Sequence, residues 1–183
     1  KILYDVAYGM NTYVSSGSYG AIITSSDSSS WTSRSSGTTN QLHGIEYGNN
    51  VFVSVGDGGT IISSSDGISW ASRTSGTAYY LKGIIYSKSI FVVTGAGGTI
   101  LTSSDGTSWN TRNSGTSVSI NGITYISDIF IAVGDSGTIL TSSDGSLWSS
   151  KTSGTSNDLE SIHFGDNTII VVGDSGTILT SID

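Results

Sequence analysis

Carboxylates recur through this chain at one spacing, because an aspartate stands four residues before each of the four tryptophans, at Asp27, Asp66, Asp105 and Asp144. A carboxylate is a candidate acid, base or metal ligand, but chemistry does not need one in every copy of a repeat. In a tight turn, an aspartate accepts hydrogen bonds from the N–H groups that follow it. We therefore interpret these aspartates as structural, together with the tryptophans Trp31, Trp70, Trp109 and Trp148.

The other residue types that could do chemistry form no recognisable set. His43 and His163 occupy different positions of the repeat, and the chain contains no cysteine, so no metal-ligand spacing is present. The glycine-rich stretches 56–59 and 134–137 join two strand-like runs and recur along the chain. That context favours hairpin turns over a nucleotide site. The sequence predicts no catalytic residues, no metal and no cofactor.

The elements that position these residues follow from the tryptophan spacing, which is 39 residues throughout. Each repeat holds four short runs rich in β-branched and aromatic residues and bounded by Gly, Asn, Asp or Ser, as in 44–47, 51–56, 59–63 and 69–73. Such runs are typical of strands joined by turns. No stretch has helical periodicity. The sequence therefore predicts an all-β chain of four-stranded units.

Four strands in about 40 residues is the period of a β-propeller blade. We predict one propeller domain over residues 1–183, with about five blades at approximately 1–38, 39–77, 78–116, 117–155 and 156–183. A β-solenoid is the alternative, but its coils are normally shorter and need no tryptophan beside a turn. Since a single blade cannot cover both its faces, we expect the blades to close around a pseudo-fivefold axis with the four tryptophans packed between them.

Composition excludes two classes of partner. The net charge is −7 and the basic residues are scattered singly, whereas nucleic-acid binding needs a basic patch. No apolar run approaches the roughly 18 residues of a membrane span. Serine, threonine and glycine are abundant while charged residues make up only 11%, which favours an extracellular or periplasmic location.

The copies differ most where the first strand begins, while their apolar positions barely change. That position carries Tyr4, His43, Lys82, Asn121 and Glu160, and the loop two residues earlier carries Gln41, Tyr80, Ser119 and Asp158. In a propeller this region lies at the mouth of the central channel. Either solvated loop tips have drifted, or these side chains form a ligand site. The predicted site comprises Gln41, His43, Tyr79, Tyr80, Lys82, Asn121, Asp158 and Glu160, with Tyr79 and Tyr80 as its one aromatic platform.

Several stretches resemble a known repeat. Residues 64–70, Ser-Ser-Asp-Gly-Ile-Ser-Trp, and their equivalents 103–109 and 142–148 are similar to the Asp-box of BNR-type propellers. Residues 153–159 and 172–179 resemble the repeats of the photosystem II assembly and stability factor group. Here the tryptophan follows the aspartate by four positions, one fewer than in the family pattern, and the turn at Asp27 lacks the glycine.

The resemblance implies a fold element and leaves two functions open. The favoured one is a non-enzymatic binding or scaffolding propeller that engages glycan or protein at the channel mouth. The alternative is an accessory or partial domain of a glycoside-active, sialidase-like enzyme whose catalytic residues lie elsewhere. A sialidase would need converging arginines, whereas Arg34, Arg73 and Arg112 fall on equivalent outer strands of successive blades.

The last repeat is shorter than the others. Its third strand is present, but no tryptophan strand follows, and Asp183 aligns with the turn aspartates. The fifth blade is thus predicted to lack its fourth strand. An unpaired strand edge tends to pair with another strand, so residues 176–182 are expected to self-associate or to accept a partner strand.

Overall fold

The structure, a computed structural model, describes residues 1–181, which form five antiparallel sheets. Sheet 1 contains β1 (Leu3–Gly9), β2 (Thr12–Gly17), β3 (Ala21–Ser25) and β4 (Thr32–Arg34). Sheet 2 contains β5 (Leu42–Gly48), β6 (Val51–Gly56), β7 (Ile61–Ser64) and β8 (Ala71–Arg73). Sheet 3 contains β9 (Leu81–Ser87), β10 (Ile90–Gly95), β11 (Ile100–Ser103) and β12 (Asn110–Arg112). Sheet 4 contains β13 (Ile120–Ile126), β14 (Ile129–Gly134), β15 (Thr138–Ser142) and β16 (Ser149–Lys151). Sheet 5 contains β17 (Leu159–Gly165), β18 (Thr168–Gly173) and β19 (Thr177–Ser181).

Within each sheet the strands pair in chain order, so every blade is a meander of hairpins. The first two strands of each blade are joined by two residues with positive φ, for example Asn49 at 46° and Asn50 at 60°. This is the type I′ turn, whose twist matches that of the strands it joins. Asparagine tolerates this conformation better than most residues, which explains the Asn-Asn pair in the second blade.

A single 3₁₀ turn separates the second and third strands of every blade, at residues 18–20, 57–59, 96–98, 135–137 and 174–176. Among residues 1–181, the helical segments are these single turns, and none is long or apolar enough to cross a membrane.

The first strands of successive blades stack on one another, in the order β1, β5, β9, β13 and β17. Each pair of neighbouring blades buries an apolar cluster, and Phe52, Phe91 and Phe130 are fully buried at the centres of the first three. A fourth cluster joins the last two blades around Leu159. Face-to-face packing of four-stranded sheets confirms the predicted propeller-type fold class and excludes the solenoid.

We call the side of a blade that contacts the preceding blade its leading face, and the opposite side its trailing face. The expected closure into a fivefold ring is wrong for the described residues, because within residues 1–181 no apolar cluster joins the fifth blade to the first. On the leading face of the first blade, Val6 is 56% exposed and Tyr8 is 55% exposed. On the trailing face of the fifth blade, Ile178 is 67% exposed, whereas its equivalent Ile61 is fully buried. The five blades form an open arc.

The open arc also corrects the expectation that all four tryptophans pack between blades. Trp70, Trp109 and Trp148 pack against the first three clusters. Trp31 is 41% exposed, with Tyr13 beside its ring at a centroid distance of 6.5 Å. It lies on the leading face of the first blade, where no other blade within residues 1–181 covers it.

The fifth sheet has three strands within the described residues, as predicted. Its third strand, β19, pairs with β18 along one edge. Ile182 and Asp183 lie outside the described residues, so the end of the predicted edge and the alignment of Asp183 with the turn aspartates stay predictions.

Candidate functional site

The mouth of the arc is built on one backbone hydrogen bond that recurs in all five blades. The first N–H of each 3₁₀ turn donates to the carbonyl of a residue just before or at the start of the first strand, at 2.8 to 3.0 Å. The acceptors are Ile2, Gln41, Tyr80, Ser119 and Asp158. This bond holds the loop, the start of the first strand and the turn together in every blade. Because it uses backbone atoms only, the side chains at these positions are free to differ.

Between the first and second blades, the predicted residues Gln41 and His43 meet around Asp57. His43 Nε2 lies 2.6 Å from Asp57 Oδ1, and Gln41 Nε2 donates to Asp57 Oδ2 at 3.3 Å. The Tyr4 hydroxyl donates to Gln41 Oε1 at 2.5 Å, and the rings of Tyr4 and His43 are 5.5 Å apart. A cavity of about 590 Å³ opens beside Tyr4, Gln41 and Asp57 and extends to Tyr19. This cavity forms a concave part of the candidate site.

Between the third and fourth blades, the predicted residues Lys82 and Asn121 are in direct contact. Lys82 Nζ donates to Asn121 Oδ1 at 2.7 Å. The Asn121 amide nitrogen donates in turn to Asp135 Oδ1 at 2.8 Å and to the Leu159 carbonyl at 3.0 Å. These bonds fix both rotamers, so Lys82 presents its charge at a defined place on the mouth.

The remaining predicted residues are more dispersed. Asp158 Oδ1 accepts the N–H of Ser136 at 2.7 Å. Tyr79 lies over the third 3₁₀ turn, where a Cβ on Gly97 would come within 2.9 Å of its ring. Tyr80 is 56% exposed, and Glu160 is also exposed. The structure therefore brings four of the eight residues together in two groups, Gln41 with His43 and Lys82 with Asn121, and spreads the other four along the rim.

Sequence reasoning missed three residues of this site. Tyr4 and Tyr19 form a second exposed aromatic group, at 42% and 72% exposure, so Tyr79 and Tyr80 are not the one aromatic platform. Asp57 carries the contacts of Gln41 and His43, yet its Gly-Asp-Gly-Gly stretch indicated only a hairpin turn. The recurrence of an aspartate at positions 57, 135 and 174, two repeats and one repeat apart, was the signal that could have shown it.

The mouth carries more negative than positive charge. Carboxylates occur at Asp57, Asp135, Asp158, Glu160 and Asp174. Two lysines lie near them: Lys82, which is bonded to Asn121, and Lys1, which lines the cavity beside Asp57. Within residues 1–181, no group of three or more His, Asp or Glu side chains is placed to hold a metal ion. The arrangement suits recognition of a polar or basic group through hydrogen bonds and charge.

Two partly buried carboxylates lie between blades, Asp5 between the first and second blades and Glu46 between the second and third. Asp5 Oδ2 accepts the N–H of Ile45 in the next blade at 2.8 Å. Burial raises the pKa of Asp5, against the opposing effect of the N–H groups of Ile45 and Val6. Burial also raises the pKa of Glu46, and the charge of Asp5 adds to that increase. Ionising these groups costs free energy in the folded state.

The turn aspartates lie away from the mouth and bond to their own turns. Asp66 Oδ1 accepts the N–H groups of Ile68 and Ser69, both at 2.8 Å, and Asp27, Asp105 and Asp144 make the equivalent bonds. The bond from Ser69 and then that from Ile68 lower the pKa of Asp66 to about 2. In all four aspartates, the Oδ1 atom accepts its hydrogen bonds from the N–H groups of its own turn.

The arginines lie on the outer strands, and each one bonds within its own blade. The Nε atoms of Arg34, Arg73 and Arg112 donate to a hydroxyl on the neighbouring third strand, at 2.7 to 2.9 Å. They do not converge on a common point.

Comparison with protein-family models finds no match, and comparison with curated proteins finds none either. Solved structures do match. YCF48 from Cyanidioschyzon merolae gives a TM-score of 0.74 at 16% identity, covering 97% of this chain and 65% of that chain. YCF48 bound to D1 peptide gives 0.73 at 18% identity, covering 98% of this chain and 63% of that chain. The fold is a β-propeller.

A chain of the nidogen/laminin complex shares the same fold, with a TM-score of 0.70 at 14% identity over 98% of this chain and 75% of that chain. At these identities the likeness concerns the fold alone. The chain spans just under two thirds of the length of both YCF48 chains.

Proposed function

We propose that this propeller is a non-enzymatic binding module that holds an extended, polar or basic protein segment at the channel mouth. One observation carries the proposal: an identical backbone bond in five blades presents side chains that differ from blade to blade. A regular frame with varied side chains is the arrangement that recognises a heterogeneous partner such as a peptide.

The charge and shape of the mouth support a peptide partner. Its five carboxylates outnumber its two lysines, Lys1 and Lys82, which favours a segment with Lys or Arg side chains. The cavity beside Tyr4 and Asp57 offers room for one side chain, and the exposed rings of Tyr19, Tyr79 and Tyr80 offer flat apolar surfaces. Two of the matching propellers are described with a peptide and with laminin, and we extend that mode of action to this chain only as part of the proposal.

Finer features belong to the same proposal. The turn bonds of Asp66 and its equivalents support assignment of the repeat to the Asp-box kind. The dispersal of Arg34, Arg73 and Arg112 supports a binding role over a sialidase-like one. The abundance of serine, threonine and glycine supports an extracellular or periplasmic location.

An array of decapeptides that differ in charge tests the proposal. Basic peptides should bind more tightly than acidic ones, and added salt should weaken them. Glu160→Gln should reduce binding of basic peptides about two- to five-fold, since rim charges contribute little individually. The Tyr79→Ala/Tyr80→Ala double variant should reduce binding further.

Arg73→Ala, on the outer rim, is the matched control and should leave binding unchanged. Loss of binding with Arg73→Ala alone would move the site to the rim. A glycan array run beside the peptide array covers the other ligand class, and binding to sugars without binding to peptides would overturn the proposal.

A further inference from the structure

A groove on the fifth blade is lined by apolar residues at the positions that, in the preceding blade, surround the tryptophan. It has a volume of about 400 Å³ and lies between the fourth and fifth blades, with Ile131, Ile139, Ile169, Val171 and Leu179 among its lining residues. One repeat earlier, the equivalent residues are Val92, Ile100, Phe130, Ala132 and Leu140. These residues form the cluster against which Trp148 packs.

The strand next to this groove also has an unused edge. In the fourth blade, β15 pairs with β16 through Ile139 and Lys151, Leu140 and Ser150, and Thr141 and Ser149. Within residues 1–181, its equivalent β19 has β18 as its only hydrogen-bonded neighbour. An exposed strand edge accepts an extended segment by β-augmentation.

A third contact indicates which side chain a strand paired with β19 would carry. In the first three blades an arginine three residues after the tryptophan donates to a hydroxyl on the third strand, as Arg112 does to Thr102 Oγ1 at 2.8 Å. The equivalent hydroxyl in the fifth blade belongs to Thr180, which is exposed and lines the groove. The position therefore has an acceptor ready for a basic side chain.

We propose that this groove and the edge of β19 are a docking site for an extended segment of the pattern Trp-x-x-Arg. The segment adds a fourth strand to the fifth blade, its tryptophan fills the apolar groove, and its arginine donates to Thr180. The second and third blades supply the template, because each has both a tryptophan packed on an apolar cluster and an arginine bonded to a hydroxyl of the third strand. The site is separate from the channel mouth, so it does not depend on the function proposed above.

A labelled peptide with the sequence of residues 104–113, Ser-Asp-Gly-Thr-Ser-Trp-Asn-Thr-Arg-Asn, tests the proposal by fluorescence anisotropy with the whole chain. The peptide should bind, and hydrogen exchange should slow within residues 177–181. Replacing its tryptophan by alanine should weaken binding at least about ten-fold, because a buried aromatic anchor dominates such interfaces. Replacing its arginine by alanine should weaken binding about two- to five-fold.

Two neighbouring residues on β18 provide matched protein variants. Ile169 lines the groove, whereas Ile170 lies on the opposite face of the strand and is 42% exposed. Ile169→Ser should abolish peptide binding, and Ile170→Ser should preserve it. If both variants behave alike, the peptide is bound elsewhere and the proposal is wrong.

A second variant, Thr180→Val, tests the proposal even if Ile169→Ser unfolds the fifth blade. Thr180 is exposed and valine is similar to it in shape, so this substitution should not disturb the fold. This variant should weaken the arginine peptide two- to five-fold and leave the arginine-to-alanine peptide unaffected. The proposal is wrong if Thr180→Val weakens binding of the arginine peptide and of its arginine-to-alanine form equally. It is also wrong if the unaltered chain binds the peptide and its tryptophan-to-alanine form equally well.

Discussion

The leading faces of the first and third blades carry equivalent residues in different surroundings. On the third blade, Phe91 is fully buried and Trp109 packs beside it. On the first blade, the equivalents Tyr13 and Trp31 contact each other without a covering blade, and Trp31 is 41% exposed. The apolar pattern of a propeller blade therefore does not determine its own burial, since the neighbouring blade supplies half of each interface.

The turn beside the tryptophan shows the same contrast. Gly106 has a φ of 70°, and a Cβ there would lie 2.8 Å from Val53 of the preceding blade. Ser28 holds the equivalent position in the first blade at a φ of 61°. A side chain fits at Ser28 because, within residues 1–181, no other blade packs against this turn.

The largest expected effect compares the two tryptophans. Trp109→Ala should reduce the free energy of unfolding by about 3 kcal/mol, because it leaves a void between the second and third blades. Trp31→Ala should cost less than about 1 kcal/mol, as for other partly exposed side chains. Urea denaturation of both variants measures the difference. Equal losses would mean that the first blade is covered in solution.

The next effect compares the two turns. Gly106→Ala should cost about 1–3 kcal/mol, because it combines a left-handed backbone with a clash against Val53. Ser28→Gly should be neutral or stabilising by a few tenths, since glycine adopts this φ without strain. Thermal melts of the two variants should shift in opposite directions or leave Ser28→Gly unshifted. A loss with Ser28→Gly as large as that with Gly106→Ala would contradict the open leading face.

A smaller effect concerns Glu46, which is partly buried between the second and third blades, beside the N–H of Tyr86. Since its pKa is raised, its contribution to stability is present below the unfolded pKa and is lost as the pH rises through the folded pKa. Glu46→Gln should therefore raise the melting temperature at neutral pH, with the gain shrinking below the ordinary glutamate pKa of about 4.3. Glu160→Gln, at an exposed position, is the control and should show no such gain.

The smallest effect concerns an exposed turn. The lowered pKa of Asp66, about 2, means that its contribution is present above the unfolded pKa and is lost as the pH falls towards 2. Asp66→Asn should lower the melting temperature by a few degrees at neutral pH and by less in acid. Asp166→Asn, in an exposed hairpin, should change neither value. A loss with Asp66→Asn that does not depend on pH would show that the charge of the carboxylate is not what stabilises the turn.

The repeat and its strands could be predicted from local patterns in the sequence. The 39-residue spacing and the glycine-bounded apolar runs predicted four-stranded blades, and the lack of a tryptophan strand in the fifth repeat predicted the three-stranded sheet seen within residues 1–181. These features depend on contacts within one repeat, where residues that pair are close in the chain.

Closure of the blades and the contacts at the mouth depend on the tertiary structure. Whether the blades close, and so whether Trp31 and Val6 are buried, depends on the angle between neighbouring blades and on their number, which no single repeat encodes. The site at the mouth was likewise predicted only in part. Variation among the copies predicted Gln41 and His43, but their partner Asp57 lies in a stretch that the sequence indicated only as a turn. Its role emerged only from the fold, because the carbonyl bonds of the 3₁₀ turns bring residues 14 to 16 positions apart together at the mouth.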